Sequence, residues 1–238
     1  MTEKLNNSNE MTLPDSSPRV LGLTMVAAVM GVLVAVAYLP AWQPGLAASI
    51  LGDSPKAYWF LSRGSALAAY GLLWLSMALG LALTNKLARA WPGGPTAFDV
   101  HQYVSILGMG FALFHGLILL GDRFMNFHVA QILVPFSTQA YKPLWVGLGQ
   151  LAFYLWALIT LSFYVRKQMG NKTWRWVHSV SFLTFGLAIL HGIASGTDTS
   201  TGWASAMYWV SGGILLFLLV YRIAVTVAAK PRGRQLVN

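Results

Sequence analysis

Five histidines and no cysteine frame the chemistry open to this 238-residue chain. Four of the histidines fall into two matched intervals. His101 and His115 bound the stretch HQYVSILGMGFALFH, and His178 and His191 bound HSVSFLTFGLAILH. The residues between are apolar, small or uncharged. A neutral imidazole is a strong ligand for iron, and two facing helices can offer one from each side of a flat macrocycle. The product is a six-coordinate haem with no open position, a geometry suited to electron transfer rather than ligand binding. Three other readings remain open on the residues alone. A membrane histidine can hydrogen-bond to a neighbouring helix, serve in a proton relay, or hold a bare metal ion. The last two usually recruit carboxylates, and Asp99 is the only acid nearby. The lack of cysteine excludes disulfide frameworks, thiolate zinc sites, iron–sulfur clusters and cysteine nucleophiles. No catalytic residue stands out.

The elements that must carry these histidines follow from composition. The chain is 56% hydrophobic and 10% charged, with ten tryptophans, which predicts an all-α integral membrane protein surrounded by lipid. Six spans are expected: Val20–Leu39, Tyr58 to about Thr84, Ala97–Gly121, Pro143–Val165, Trp176–Ala194 and Trp203–Tyr221. Residues 1–18 read as a disordered cytoplasmic tail, 19–229 as a six-helix haem domain and 230–238 as a basic cytoplasmic tail. No internal repeat or appended nucleotide-binding domain is evident, and GMGFALFHG lies mid-span with no preceding strand. The formal charge of +9 comes from basic residues flanking the spans, which is a topology signal and excludes a nucleic-acid surface. With the N-terminus inside, most of the Lys and Arg residues fall on the cytoplasmic side, and Lys56, Arg123 and Lys142 fall outside. Both termini are therefore expected to be cytoplasmic, as in a bacterial-type inner membrane. Trp174, Trp176, Trp203 and Trp209 lie near span ends and read as interfacial anchors. His128, in an outer loop, reads as a solvated side chain.

At a rise of about 1.5 Å per residue, His101 and His115 stand about 21 Å apart on the third span. His178 and His191 stand about 19.5 Å apart on the fifth. Both spans start on the same side, so His101 and His178 share an inner depth, and His115 and His191 an outer one. On an ideal helix His115 lies only about 40° round from His101, with Gly108 midway and about 20° off each, where a glycine would open room for porphyrin edges. The interval on the fifth span leaves His191 about 140° out of phase with His178. A bend, a local change of winding or an oblique approach must correct it.

From about Tyr58 to Tyr221 the chain resembles the ferric reductase-like transmembrane domain. That domain is the haem-bearing core of ferric reductases and NADPH oxidases, and it also occurs alone as the haem subunit of bacterial methionine sulfoxide reductase systems. The resemblance rests on SRGSALAAYGLL opening the second span, the two histidine intervals, and the basic loop RKQMGNKTWRWVH. It implies two stacked b-type haems between helices three and five, with His101 and His178 on the inner haem and His115 and His191 on the outer. It also implies electron flow outward from the cytoplasmic face. Arg63 matches an arginine that sits near the outer haem in relatives, where a guanidinium suits a propionate or an anionic acceptor. Snorkelling to the surface is an equal alternative. The flavin and nicotinamide domain of the larger relatives is missing.

Two functions from different classes follow. In one, the chain is the membrane half of a reductase, receiving electrons from quinol or from a cytoplasmic flavoprotein docked on residues 85–96 and 166–175. It would then reduce an outer-side acceptor or partner protein. In the other, it is a non-catalytic haem-binding subunit of a larger respiratory or photosynthetic membrane complex.

Overall fold

The computed structural model describes residues 56–228 apart from residue 140, together with a few isolated positions before them. Apart from a few isolated positions, the expected span over Val20–Leu39 and both tails lie outside the described residues. All regular structure among the described residues is helical. Five helical stretches are long and apolar enough to cross a membrane: Ala57–Thr84, Gly94–Gly121, Pro143–Ser162, Asn171–Ser195 and Gly202–Ala228. A third or less of each is buried. Outward-facing residues such as Leu158, Leu161, Leu183 and Phe217 are largely exposed. So much apolar surface left outside a core fits lipid as the surrounding medium.

Helix α1 (Ala57–Thr84) is joined by a short 3₁₀ turn, Leu87–Arg89, to α2 (Gly94–Leu117), whose last turn continues as 3₁₀ to Gly121. Pro95 in the first turn of α2 suits a position whose N–H needs no intrahelical partner. The buried Asp122 then accepts the backbone N–H groups of Phe124 (2.9 Å) and Met125 (3.0 Å), turning the chain. After the short α3 (Val129–Leu133) come α4 (Pro143–Ser162), α5 (Arg166–Met169), α6 (Asn171–Ser179), α7 (Ser181–Ser195) and α8 (Gly202–Ala228). Gly170, at φ +78°, makes the corner between α5 and α6 in the left-handed region that favours glycine.

Two close antiparallel pairs dominate, α1 with α2 and α4 with α7. Helix α8 is fastened to α1 by the Tyr70 hydroxyl against Ser211 Oγ (2.5 Å) and by Trp74 Nε1–H donating to the Ser211 carbonyl (3.1 Å). Helix α2, which carries His101 and His115, packs closely with neither α6 nor α7, which carry His178 and His191. The space between them is where the cavities lie.

The α6–α7 boundary alters the phase of the second interval. Val180 interrupts the helix, and its N–H donates to the Val177 carbonyl at 3.1 Å, a tighter turn than the α-helical one. This change of winding falls between His178 and His191.

Candidate functional site: two histidine pairs on two cavities

His101 faces His178 with ring centres 6.1 Å apart and planes at 72°, and His115 faces His191 at 6.2 Å and 69°. Each pair takes one ring from α2 and one from the α6–α7 segment. An imidazole nitrogen bonds a transition metal at about 2 Å and lies roughly 1 Å from its ring centre. Two rings on opposite sides of one ion therefore stand about 6 Å centre to centre. Both pairs have that separation.

The orientation of three of the rings is fixed by the backbone. His115 Nδ1–H donates to the Ser62 carbonyl (2.9 Å), His101 Nδ1–H to the Ser76 carbonyl (2.9 Å) and His191 Nδ1–H to the Trp145 carbonyl (2.8 Å). A carbonyl only accepts, so Nδ1 carries the proton and the lone pair is left on Nε2, the atom that can bind a metal. The serine side chains add contacts of their own. Ser62 Oγ is 2.9 Å and Ser76 Oγ 3.2 Å from the same Nδ1 atoms, and Ser76 Oγ meets Ser105 Oγ at 2.6 Å.

These contacts obey a simple register. Ser62 and Ser76 are fourteen residues apart on α1, as His101 and His115 are on α2. The helices run antiparallel, so one alignment brings both serine–histidine contacts into place. The accepting carbonyls are also uncovered in a consistent way. A helical Cβ tilts toward the N-terminus, so the residue four positions on overhangs a carbonyl. That residue is Gly80 for Ser76, Ala66 for Ser62 and Gly149 for Trp145, small in every case.

His178 differs. No hydrogen bond to its ring occurs among the described residues; instead the Trp174 indole stacks on it at 5.1 Å and 27°. Trp174 thus packs on a site histidine, whereas Trp176, Trp203 and Trp209 stay more than half exposed, as interfacial anchors would. The Trp174 stack bears on a ring that has no carbonyl to hold it.

Each pair lines a cavity. The one at the His115 end measures about 280 Å³ and the one at the His101 end about 560 Å³, on the order of the roughly 300–1,000 Å³ of small-molecule sites. Trp156, only 7% exposed, borders both. Gly108 is buried there, and a Cβ on it would stand 2.7 Å from Trp156 Cη2 and 2.9 Å from Leu72 Cβ. The room the glycine opens is taken by that indole and by Leu72, not left as clearance for a ligand's edge.

Arg63 borders the smaller cavity and is already engaged. Its Nε–H donates to Asp198 Oδ2 at 3.1 Å and a second nitrogen closes on Oδ1, a bidentate pair of two half-buried side chains. Asp198 had no signal in the sequence, since it lies in a polar loop 135 residues away. His128 is exposed, and its backbone N–H donates to Gln131 Oε1 at 2.9 Å. Asp99 is exposed as well.

Among the described residues no group of three or more His, Asp or Glu side chains converges as a metal cage. An ion held at either pair would have two protein ligands, so its remaining positions must be filled by what comes with it. A porphyrin brings four nitrogens in one plane. The residues therefore fit a flat macrocyclic complex better than a bare ion.

Fold and site together define an all-helical protein with membrane-length apolar helices and two paired-histidine sites at opposite ends of its bundle. The chain belongs to the family described as a domain of unknown function (DUF8596), which matches residues 57–198 and takes in Arg63, Asp198 and all four paired histidines. No curated protein and no solved structure matches it.

Proposed function

We propose that the chain is a six-span di-haem b cytochrome that carries electrons across a membrane, as the haem subunit of a ferric reductase-like oxidoreductase. The observation that carries this reading is the pair of imidazole separations, 6.1 and 6.2 Å, at two depths of one bundle. His101 and His178 would hold the inner haem and His115 and His191 the outer. Haem held by these four histidines would supply one-electron redox chemistry.

The protein's own residues supply the rest. The Ser62, Ser76 and Trp145 carbonyls hold three rings at fixed angles and keep Nε2 unprotonated, and their hydrogen bonds make those imidazoles more electron-donating. The Trp174 stack holds the fourth ring. Trp156 and the surrounding apolar side chains keep water from the region between the two pairs. The basic loops at the His101 end, carrying Lys86, Arg89, Arg166, Lys167, Lys172 and Arg175, would face the cytoplasm and present a positive surface to an acidic flavoprotein donor. Quinol is the other donor class, and the acceptor lies on the outer side.

The test is a pyridine haemochrome assay with a reduced-minus-oxidised spectrum of the purified full chain. A low-spin b-type spectrum with close to two haems per chain is expected. A preparation made with ample haem supply that contains none refutes the reading.

A further inference from the structure

The two cavities differ in charge. The larger cavity, at the His101 end, is bordered by Arg175 from α6 and Arg222 from α8, and by no Asp or Glu. Neither guanidinium pairs with a carboxylate among the described residues. The smaller cavity is bordered by one cation and one anion, Arg63 and Asp198, and they are bonded to each other.

We infer that the two haem sites are anchored differently: the inner cavity holds the carboxylate edge of its macrocycle with Arg175 and Arg222, while the outer cavity offers that edge no free guanidinium. This rests on the haem reading above. A b-type haem brings two propionates, and two carboxylates in an apolar cavity need partners. A guanidinium offers a carboxylate two parallel N–H donors, and it stays charged even where water is scarce. The inner cavity supplies two such groups without a competing acid, and at about 560 Å³ it is also the roomier. At the outer site Asp198 already occupies the Arg63 fork, so a propionate there would have to displace a bidentate intramolecular partner. Topology alone asks for arginines near the cytoplasmic ends of α6 and α8. It does not ask for them on the wall of the cavity below His101 and His178.

The experiment isolates each site in the full-length chain by removing the other, with His115→Ala leaving the inner site and His101→Ala the outer. Haem release to excess apomyoglobin is then followed by absorbance. In the His115→Ala chain, Arg175→Ala together with Arg222→Ala should speed release at least tenfold, the scale for losing charge-assisted hydrogen bonds. Arg175→Lys with Arg222→Lys should restore part of the retention. In the His101→Ala chain, Arg63→Gln should leave release within about twofold, because its fork holds Asp198 and not the haem.

An independent measurement needs no arginine variant. Haem dimethyl ester, supplied in place of haem to a haem-deficient host making the unsubstituted chain, should be retained at the outer site and poorly at the inner. Equal retention of the ester at both sites, or faster release with Arg63→Gln than with the paired arginine change, overturns the anchoring while the haem reading stands. Failure to retain ordinary haem in the unsubstituted chain overturns the haem reading itself.

Discussion

Replacing Gly149 by alanine tests the site through one methyl group. A Cβ at this position would stand 2.5 Å from His191 Nδ1, 2.6 Å from its Cγ and 2.8 Å from its Cε1. Ordinary van der Waals contact needs about 3.5 Å, so the ring must retreat by roughly 1 Å. That displacement costs the 2.8 Å hydrogen bond from Nδ1–H to the Trp145 carbonyl, about 1–3 kcal/mol for a group left unpaired away from water. It also moves Nε2 by half the length of a bond to a metal, about 2 Å, which is enough to end ligation. Helix propensity works the other way, since alanine is favoured over glycine by about 1 kcal/mol in a helix interior. A chain judged by propensity alone would be stabilised by the change. The matched control is Gly80→Ala, where the added Cβ meets His101 Cε1 at 3.4 Å and nothing nearer. Ala66 already fills the equivalent place beside Ser62 and His115. Haem per chain, read by pyridine haemochrome, should fall by one for Gly149→Ala and stay unchanged for Gly80→Ala. Full haem content with an unaltered low-spin spectrum in Gly149→Ala would refute the placement of the His191 ring, and so would equal losses in the two variants.

Four further outcomes are expected. His115→Ala and His191→Ala should share a phenotype in which one haem is lost and the other is still reduced from the cytoplasmic side. His101→Ala and His178→Ala should share the converse, so grouping by helix instead of by pair, in reduction kinetics, would rule out the stacked arrangement. Reporter fusions after Arg175 and Lys230 should behave as cytoplasmic and one after Arg123 as external, and the opposite pattern would exchange inner and outer. Ser62→Ala should keep both haems and cost about 1 kcal/mol in a thermal or denaturant titration, because the carbonyl that holds His115 belongs to the backbone and survives the change. Asp198→Ala should lower thermal stability by about 1 kcal/mol, the scale for a half-exposed ion pair, and Arg63→Ala by a similar amount.

What the sequence disclosed was set by periodicity, and what it withheld was set by partners. The helices at Tyr58–Thr84 and Trp203–Tyr221 were legible as apolar runs, although the second extends to Ala228 because nothing in RIAVTVA stops a helix. The apolar run of the fifth span starts at Trp176, but helix begins at Asn171, since the polar residues before it form the amphipathic α6. The two histidine intervals were visible as matched numbers. The phase mismatch in the second was visible too, and the turn at Val180 falls within that interval. The carbonyls at Ser62, Ser76 and Trp145 could not be read, because a backbone acceptor has no letter in the sequence. The Ser62–Ser76 interval was a signal in plain sight, and comparing it with His101–His115 under an antiparallel pairing would have exposed it. Asp198 and Trp156 act across long chain separations and left no local trace. The opening that Gly108 suggests is filled by Trp156, because helical phase says which way a gap faces and not what fills it.

The shared fourteen-residue interval makes the α1–α2 hairpin behave as a ruler. Its two marks are cut on the backbone, so substitutions at Ser62 or Ser76 can accumulate without moving either mark. Changes in length cannot. Deleting one residue of α1 between the serines would shift one end against α2 by about 1.5 Å and rotate it by about 100°. One mark could then be kept only by giving up the other. Point substitutions and single-residue insertions or deletions in this hairpin should therefore be tolerated very differently, and a family member that gained or lost a residue in one interval should carry the same change in the other.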